Sequence, residues 1–330
     1  MVTVRVDAGG CSGLGYTYGH RAVAVVIADS LAPLARGRDA FDTAALHGEA
    51  VAALRNIGHP GLGAMAVSAL DVALWDLKAR LLQVSLPDLL GTARERVPVY
   101  GSGGFTSYDD VQLSTQLSGW IEQGIDRVKM KIGREPGRDA ARVNAARAAI
   151  GSTPGLMVDA NGAYDRGQAL ALAPQFGAAG VDWFEEPLSS DDLPGLRLLR
   201  DRLPAGMELA AGEYGWDVHY FLRMLAAGAV DVLQVDATRC GGYSGFLQAA
   251  ALARAHHVPL SAHCAPALHA PVCAALPELR HVEYFHDHVC LEALAFDGAA
   301  PLRGGMLVPD RACPGHGLTL REQDLAAYRV

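Results

Sequence analysis

Lysine is nearly missing from this 330-residue chain: of 28 basic residues only Lys78, Lys129 and Lys131 are lysines, and the rest are arginines. Something at positions 129 and 131 therefore calls for an amine and not a guanidinium. No apolar run approaches the roughly 18 to 20 residues that span a bilayer, and no basic stretch followed by an apolar one opens the chain, so a cytoplasmic location without membrane contact is expected. The six cysteines include no CxxC pair, which argues against a zinc knuckle or a disulfide framework and leaves them as buried thiols. A basic surface is lacking too. The formal charge of −8 disfavours sequence-independent nucleic-acid binding and points to a small-molecule partner.

Half of the residues are hydrophobic, with abundant Gly and Ala, as in a compact globular protein. The length suits a barrel of roughly 250 residues plus an addition. Val2–Asp7 alternates as a strand does, Gly9–Gly15 reads as a turn, and Ala22–Ile27 reads as the returning strand. Apolar residues at helical spacing over Ala64–Leu82 complete an α+β opening domain, residues 1–96. Within it, Gly61-Leu62-Gly63-Ala64-Met65-Ala66 weakly suggests a nicotinamide site. It follows no strand, so a helix start is the better reading.

From Val97 the pattern becomes short apolar strands separated by helical stretches. Eight strands are expected, at Val97–Tyr100, Arg127–Ile132, Gly155–Asp159, Val181–Glu185, Met207–Ala211, Val232–Val235, Pro259–Ala262 and His281–Tyr284. An open doubly wound sheet would use the same string, but eight near-equal units favour a closed α/β barrel over residues 97–290. The tail, 291–330, carries strand-like Gly305–Val308 and Gly317–Leu320 and is expected to pack back on the opening domain.

Catalytic groups of such barrels stand at the C-terminal strand ends, and the unusual polar residues here do so. Lys129 and Lys131 alternate with apolar neighbours and so share one side of their strand. Facing the interior, two desolvated ammoniums repel, which predicts a depressed pKa for at least one and a base near neutral pH. Asp159, Glu185 and Glu213 follow at intervals of 26 and 28 residues, close to one βα unit. Three carboxylates on neighbouring strands need neutralising, and an all-oxygen donor set suits Mg²⁺. Asn161 is expected to face the same way and to orient a ligand or the substrate. Asp236 and His263 end later strands, where the carboxylate would fix the imidazole tautomer. Glu283 ends the last strand, either bridging to a substrate oxygen or acting as a neutral acid. His286 and His288 are read as an exposed loop and not as metal ligands.

Taken in order, Lys129-Met130-Lys131, Val158-Asp159-Ala160-Asn161, Phe184-Glu185-Glu186-Pro187, Ala211-Gly212-Glu213, Asp236 with Gly241-Gly242, and Ser261-Ala262-His263 resemble the signatures of mandelate-racemase-like enzymes of the enolase superfamily. The helix around Ala69–Asp76 is similar to one in that family's capping domain. The resemblance implies a modified (β/α)7β TIM-like barrel under an α+β cap completed by the tail. It implies Mg²⁺ on Asp159, Glu185 and Glu213, Lys131 as one base, and His263 with Asp236 as the opposite one. Lys129 would contact the substrate carboxylate, with Glu283 near its other oxygen. The implied reaction removes the proton beside a carboxylate through an ene-diolate. Dehydration of an acid sugar to a 2-keto-3-deoxy acid is the first expectation, and racemisation or epimerisation of an α-hydroxy acid the alternative. An inactive metal-binding homologue or a nicotinamide-dependent oxidoreductase ranks lower, and a homo-oligomer is expected. Relatives usually place one more strand and a specificity loop ahead of the strand at Val2, so either a start assigned too late or an abbreviated cap is expected here.

Overall fold

The computed structural model describes residues 1–328. Strands β1 (Val2–Ala8) and β2 (Cys11–Thr17) form an antiparallel hairpin around Gly9 and Gly10, both at positive φ, as a tight hairpin turn requires. Most of the second strand thus falls in the segment expected to be a turn. Gly13 and Gly15 mislead there because they serve packing: a Cβ on either would run into the carbonyl oxygens of Ala73 and Ala69 in the helix Leu62–Leu81. Ala22–Ile27 is correspondingly not a strand. Ala22–Val26 is helical, with Val23 buried against the same long helix.

The eight expected strands all form: β3 (Val97–Gly103), β4 (Arg127–Lys131), β5 (Gly155–Asp159), β6 (Val181–Glu185), β7 (Glu208–Ala211), β8 (Val232–Val235), β9 (Leu260–Ala262) and β10 (Leu279–Phe285). They pair in parallel in chain order, and β10 returns to β3 through Val282–Val99 and Glu283–Tyr100, which closes the barrel. The period of two sorts each strand. Val128, Met130, Leu156, Val158 and Phe184 join the core shared with the outer helices, whereas Tyr100, Met157, Trp183, Ala210 and Val232 pack together inside the barrel.

The tail divides its contacts. Met306–Leu307 pairs with the start of β3, and Thr319–Leu320 pairs with Phe296–Asp297. Between them, buried His316 has its Nε2 2.7 Å from the Leu14 carbonyl, and its backbone N–H donates to Asp76 at 2.9 Å. The cysteines are all free; Cys240, Cys264 and Cys273 are buried as expected, but Cys290 is exposed and Cys11 and Cys313 are half-buried.

Candidate active site

Strand register assembles the site. Lys131 is paired with Asp159, Asp159 with Glu185, and Glu185 with Ala210, so the ends of β4, β5 and β6 form one row. Glu213 enters past the end of β7, after Gly212 at φ +129°, where a side chain would strike the Gln234 carbonyl. The result is three buried carboxylates with oxygens within 4.8 Å of one another. Glu213 Oε2 is buried and receives no well-aligned hydrogen bond. Three anionic oxygens and an orphaned acceptor fit a hard divalent cation.

Both lysines do reach the same side, but neither is depressed. Burial lowers Lys129, yet Glu185 at 2.5 Å, Glu283 at 2.8 Å and Asp159 at 3.5 Å raise it well above the ordinary lysine range. For Lys131, burial and then the Asp159 carboxylate it contacts act in opposite directions, and the net shift is again upward. The expectation counted ammonium repulsion and omitted the anions that outnumber it. Their cost appears on Glu185, which burial and then Asp159 push up to about 8. Lys129 is fully enclosed among these carboxylates, while Lys131 keeps 17% of its side chain exposed. Lys131, Phe105 and Asn161 line an open cavity of about 530 Å³. Asn161 itself is exposed at φ +44°, with its backbone N–H on Asp159 Oδ1 at 2.8 Å.

Across the trio, His263 places Nδ1 2.9 Å from Asp236 Oδ2 and Nε2 3.2 Å from Glu213 Oε2. Burial disfavours its charge, but the surrounding anionic groups outweigh this and raise it well above the usual histidine range. Glu283 is not a neutral acid. Burial is overcome by Lys129 and His263, which hold it well below the usual carboxylate range. Ser102 donates to its Oε1 at 2.6 Å, and the Cys264 backbone N–H donates to Oε2 at 2.9 Å.

Several groups here escaped the sequence reading. Glu186, next to a predicted ligand, is buried at φ +36° with Oε1 unpartnered, and burial and then Glu213 push it up to about 10. Arg239 lies 3.6 Å from both Glu213 and Asp236. Ser102 offered no signal, being one serine at a strand end. His286 and His288 begin the helix His286–Ala295 and are not an exposed loop. His288 is half-buried, stacks on Tyr18 with ring centroids 3.6 Å apart, and accepts the Ala265 N–H at 3.1 Å. On that helix the buried Glu292 accepts from Tyr16 at 2.7 Å, Tyr18 at 3.2 Å and the Ala267 N–H at 3.0 Å. These bonds tie β2 to the turn after His263, where Cys264 and Ala265 both have positive φ.

Residues 1–91 match the model of the mandelate racemase / muconate lactonizing enzyme N-terminal domain, and residues 112–324 match that of the enolase C-terminal domain-like family. A 3,6-anhydro-alpha-L-galactonate cycloisomerase from Streptomyces coelicolor is 34% identical over 100% of this chain and 91% of its own length. Among solved structures, a mandelate racemase/muconate lactonizing enzyme-like protein from Rubrobacter xylanophilus is 52% identical, with a TM-score of 0.96 over 98% of this chain and 90% of that one. L-Talarate dehydratase from Polaromonas sp. JS666, solved with Mg and L-glucarate, is 35% identical, with a TM-score of 0.89 over 98% of this chain and 90% of that one.

Proposed function

Since the chain belongs to the mandelate racemase and muconate lactonizing enzyme family of the enolase superfamily, we propose that it eliminates water from an acid sugar to give a 2-keto-3-deoxy acid, starting with removal of the proton beside the carboxylate. The observation that carries this reading is the placement of two proton-transfer groups on opposite members of one carboxylate trio: Lys131 on Asp159, and His263 3.2 Å from Glu213. Asp159, Glu185 and Glu213 would hold Mg²⁺, which supplies positive charge to the trio and to the negative charge that grows on the substrate carboxylate.

The chain's own residues divide the remaining work. With Asp159 engaged by Mg²⁺, Lys131 would lose the carboxylate that holds its proton, and as the free amine it takes the α-proton at Nζ, on the cavity side of the trio. His263, with Nδ1 held by Asp236, gives the proton on Nε2 to the departing β-oxygen. Lys129, held by Glu185 and Glu283, directs its positive charge to the substrate carboxylate. Asn161 is placed to orient the substrate at the cavity wall. In this reading residues 1–96 and the tail 291–330 form the cap over the barrel of residues 97–290.

Likeness to a cycloisomerase along the whole chain favours a second reading on the same residues. If the departing β-oxygen belongs to a ring ether, the same elimination opens the ring, the oxygen stays on the molecule, and the net change is isomerisation. Incubation with Mg²⁺ and a panel of monoacid, diacid and anhydro acid sugars should give a 2-keto acid detected with semicarbazide. Mass spectrometry then separates loss of water from isomerisation. Inversion and solvent-deuterium uptake at an α-carbon, with no keto acid from any substrate, would overturn elimination in favour of racemisation.

A further inference from the structure

A second donor set of different chemistry adjoins the oxygen-only trio. His263 Nε2 lies 3.2 Å from Cys264 Sγ, Cys264 Sγ lies 3.4 Å from Glu283 Oε2, and Glu283 Oε2 lies 3.6 Å from His263 Nε2. All three side chains are buried. A tetrahedral zinc ion with ordinary bond lengths sets neighbouring N, S and O donors about 3.3 to 3.6 Å apart. The observed separations of 3.2, 3.4 and 3.6 Å lie close to those dimensions.

The surroundings are those of a prepared metal site. A metal-bound histidine usually gives its other ring nitrogen to a carboxylate, and His263 Nδ1 is 2.9 Å from Asp236 Oδ2. The Glu283 carboxylate is oriented as well: Ser102 and Lys129 hold Oε1, and the Cys264 N–H holds Oε2 on the side facing the thiol. An imidazole, a thiolate and a carboxylate select a thiophilic ion over Mg²⁺, which takes oxygen ligands.

We propose that His263, Cys264 and Glu283 form a binding site for a thiophilic divalent cation of the Zn²⁺ type, distinct from the Asp159, Glu185 and Glu213 trio, and that its occupancy arrests the enzyme. Binding joins the metal to Sγ, Nε2 and Oε2 and releases the thiol proton to solvent, together with any proton on Nε2. The nitrogen that would serve the leaving group is then taken. The arrest rests on the reading of His263 given above, whereas the binding does not.

Cobalt(II) provides the readout. Titrated into the protein in excess Mg²⁺, it should produce a near-ultraviolet thiolate-to-cobalt charge-transfer band that saturates at one equivalent and is displaced by Zn²⁺. The band should vanish in Cys264→Ala and persist in Cys290→Ala and Glu213→Gln. Calorimetry in two buffers of different ionisation enthalpy should count at least one proton released per Zn²⁺. Loss of the thiol should weaken Zn²⁺ binding by at least the ~10- to 100-fold that changes outside the ligand shell produce. Absence of the band in the wild type, or its survival in Cys264→Ala, overturns the site. A band with full turnover at saturating Zn²⁺ overturns the arrest and the role given to His263, and leaves the site standing.

Discussion

Replacing Lys129 with Met removes one charge from the most crowded electrostatic point in the molecule and changes little else. The ammonium lies 2.5 Å from Glu185 Oε1, 2.8 Å from Glu283 Oε1 and 3.5 Å from Asp159 Oδ2, and the residue is 0% exposed. Methionine keeps an unbranched stem of similar volume, so packing is nearly conserved. Breaking a buried ion pair from one side costs about 3–5 kcal/mol, because the remaining charge is left without compensation. Lys131 still contacts Asp159, which places the expected loss near the lower end, about 3 kcal/mol.

The loss should depend on pH with a definite sign. Glu185 is pushed up from 4.5 to about 8 even with the ammonium present, by burial and then Asp159, and it must rise further without it. A carboxyl raised in the folded state binds more protons folded than unfolded, so both proteins lose stability as pH climbs to about 8, and above that value the variant alone goes on losing it. In the wild type the contribution of Lys129, whose pKa is raised, is complete throughout that range and fades only above the ordinary lysine value. Urea unfolding followed by circular dichroism should show a smaller deficit at about pH 7 than at about pH 9, where it should reach about 3 kcal/mol. A deficit below about 1 kcal/mol at the higher pH, or one equal at both, would refute the idea that these carboxylates depend on the ammonium.

Three other perturbations test the rest of the assembly. Glu213→Gln keeps size but removes an anionic ligand, so calorimetry should show Mg²⁺ affinity reduced by at least about tenfold, and unchanged affinity would remove Glu213 from the ligand set. His263→Asn should abolish keto-acid formation yet still exchange the α-proton with deuterium oxide through Lys131, while Lys131→Ala should lose both; full turnover in either variant contradicts the division of roles. Tyr16→Phe deletes the 2.7 Å bond to buried Glu292 while the ring stays packed on Phe296. The expected destabilisation is about 1–2 kcal/mol by urea midpoint, and a variant as stable as the wild type would mean that this bond contributes nothing.

The barrel was legible because a closed parallel sheet repeats its demands: every unit needs an apolar strand, a turn and a helix, and the catalytic acids recur at that spacing. The opening hairpin was not. Gly13 and Gly15 read locally as turn formers, and only the approach of the helix Leu62–Leu81 makes them strand residues. A similar limit governed the lysines, whose common face followed from the period of two while their protonation did not.

What the order of residues determined by itself was which groups stand at which strand ends, since strand periodicity and chain order place Lys131, Asp159, Glu185 and His263 without knowledge of distances. Tertiary structure alone decided the charge states and the neighbours. Glu283, from the last strand, which pairs with β3, anchors Lys129 from β4 and accepts the Cys264 N–H from the turn after His263. Coulomb energies vary with separation and burial, and both are set by how the barrel closes and not by position along the chain.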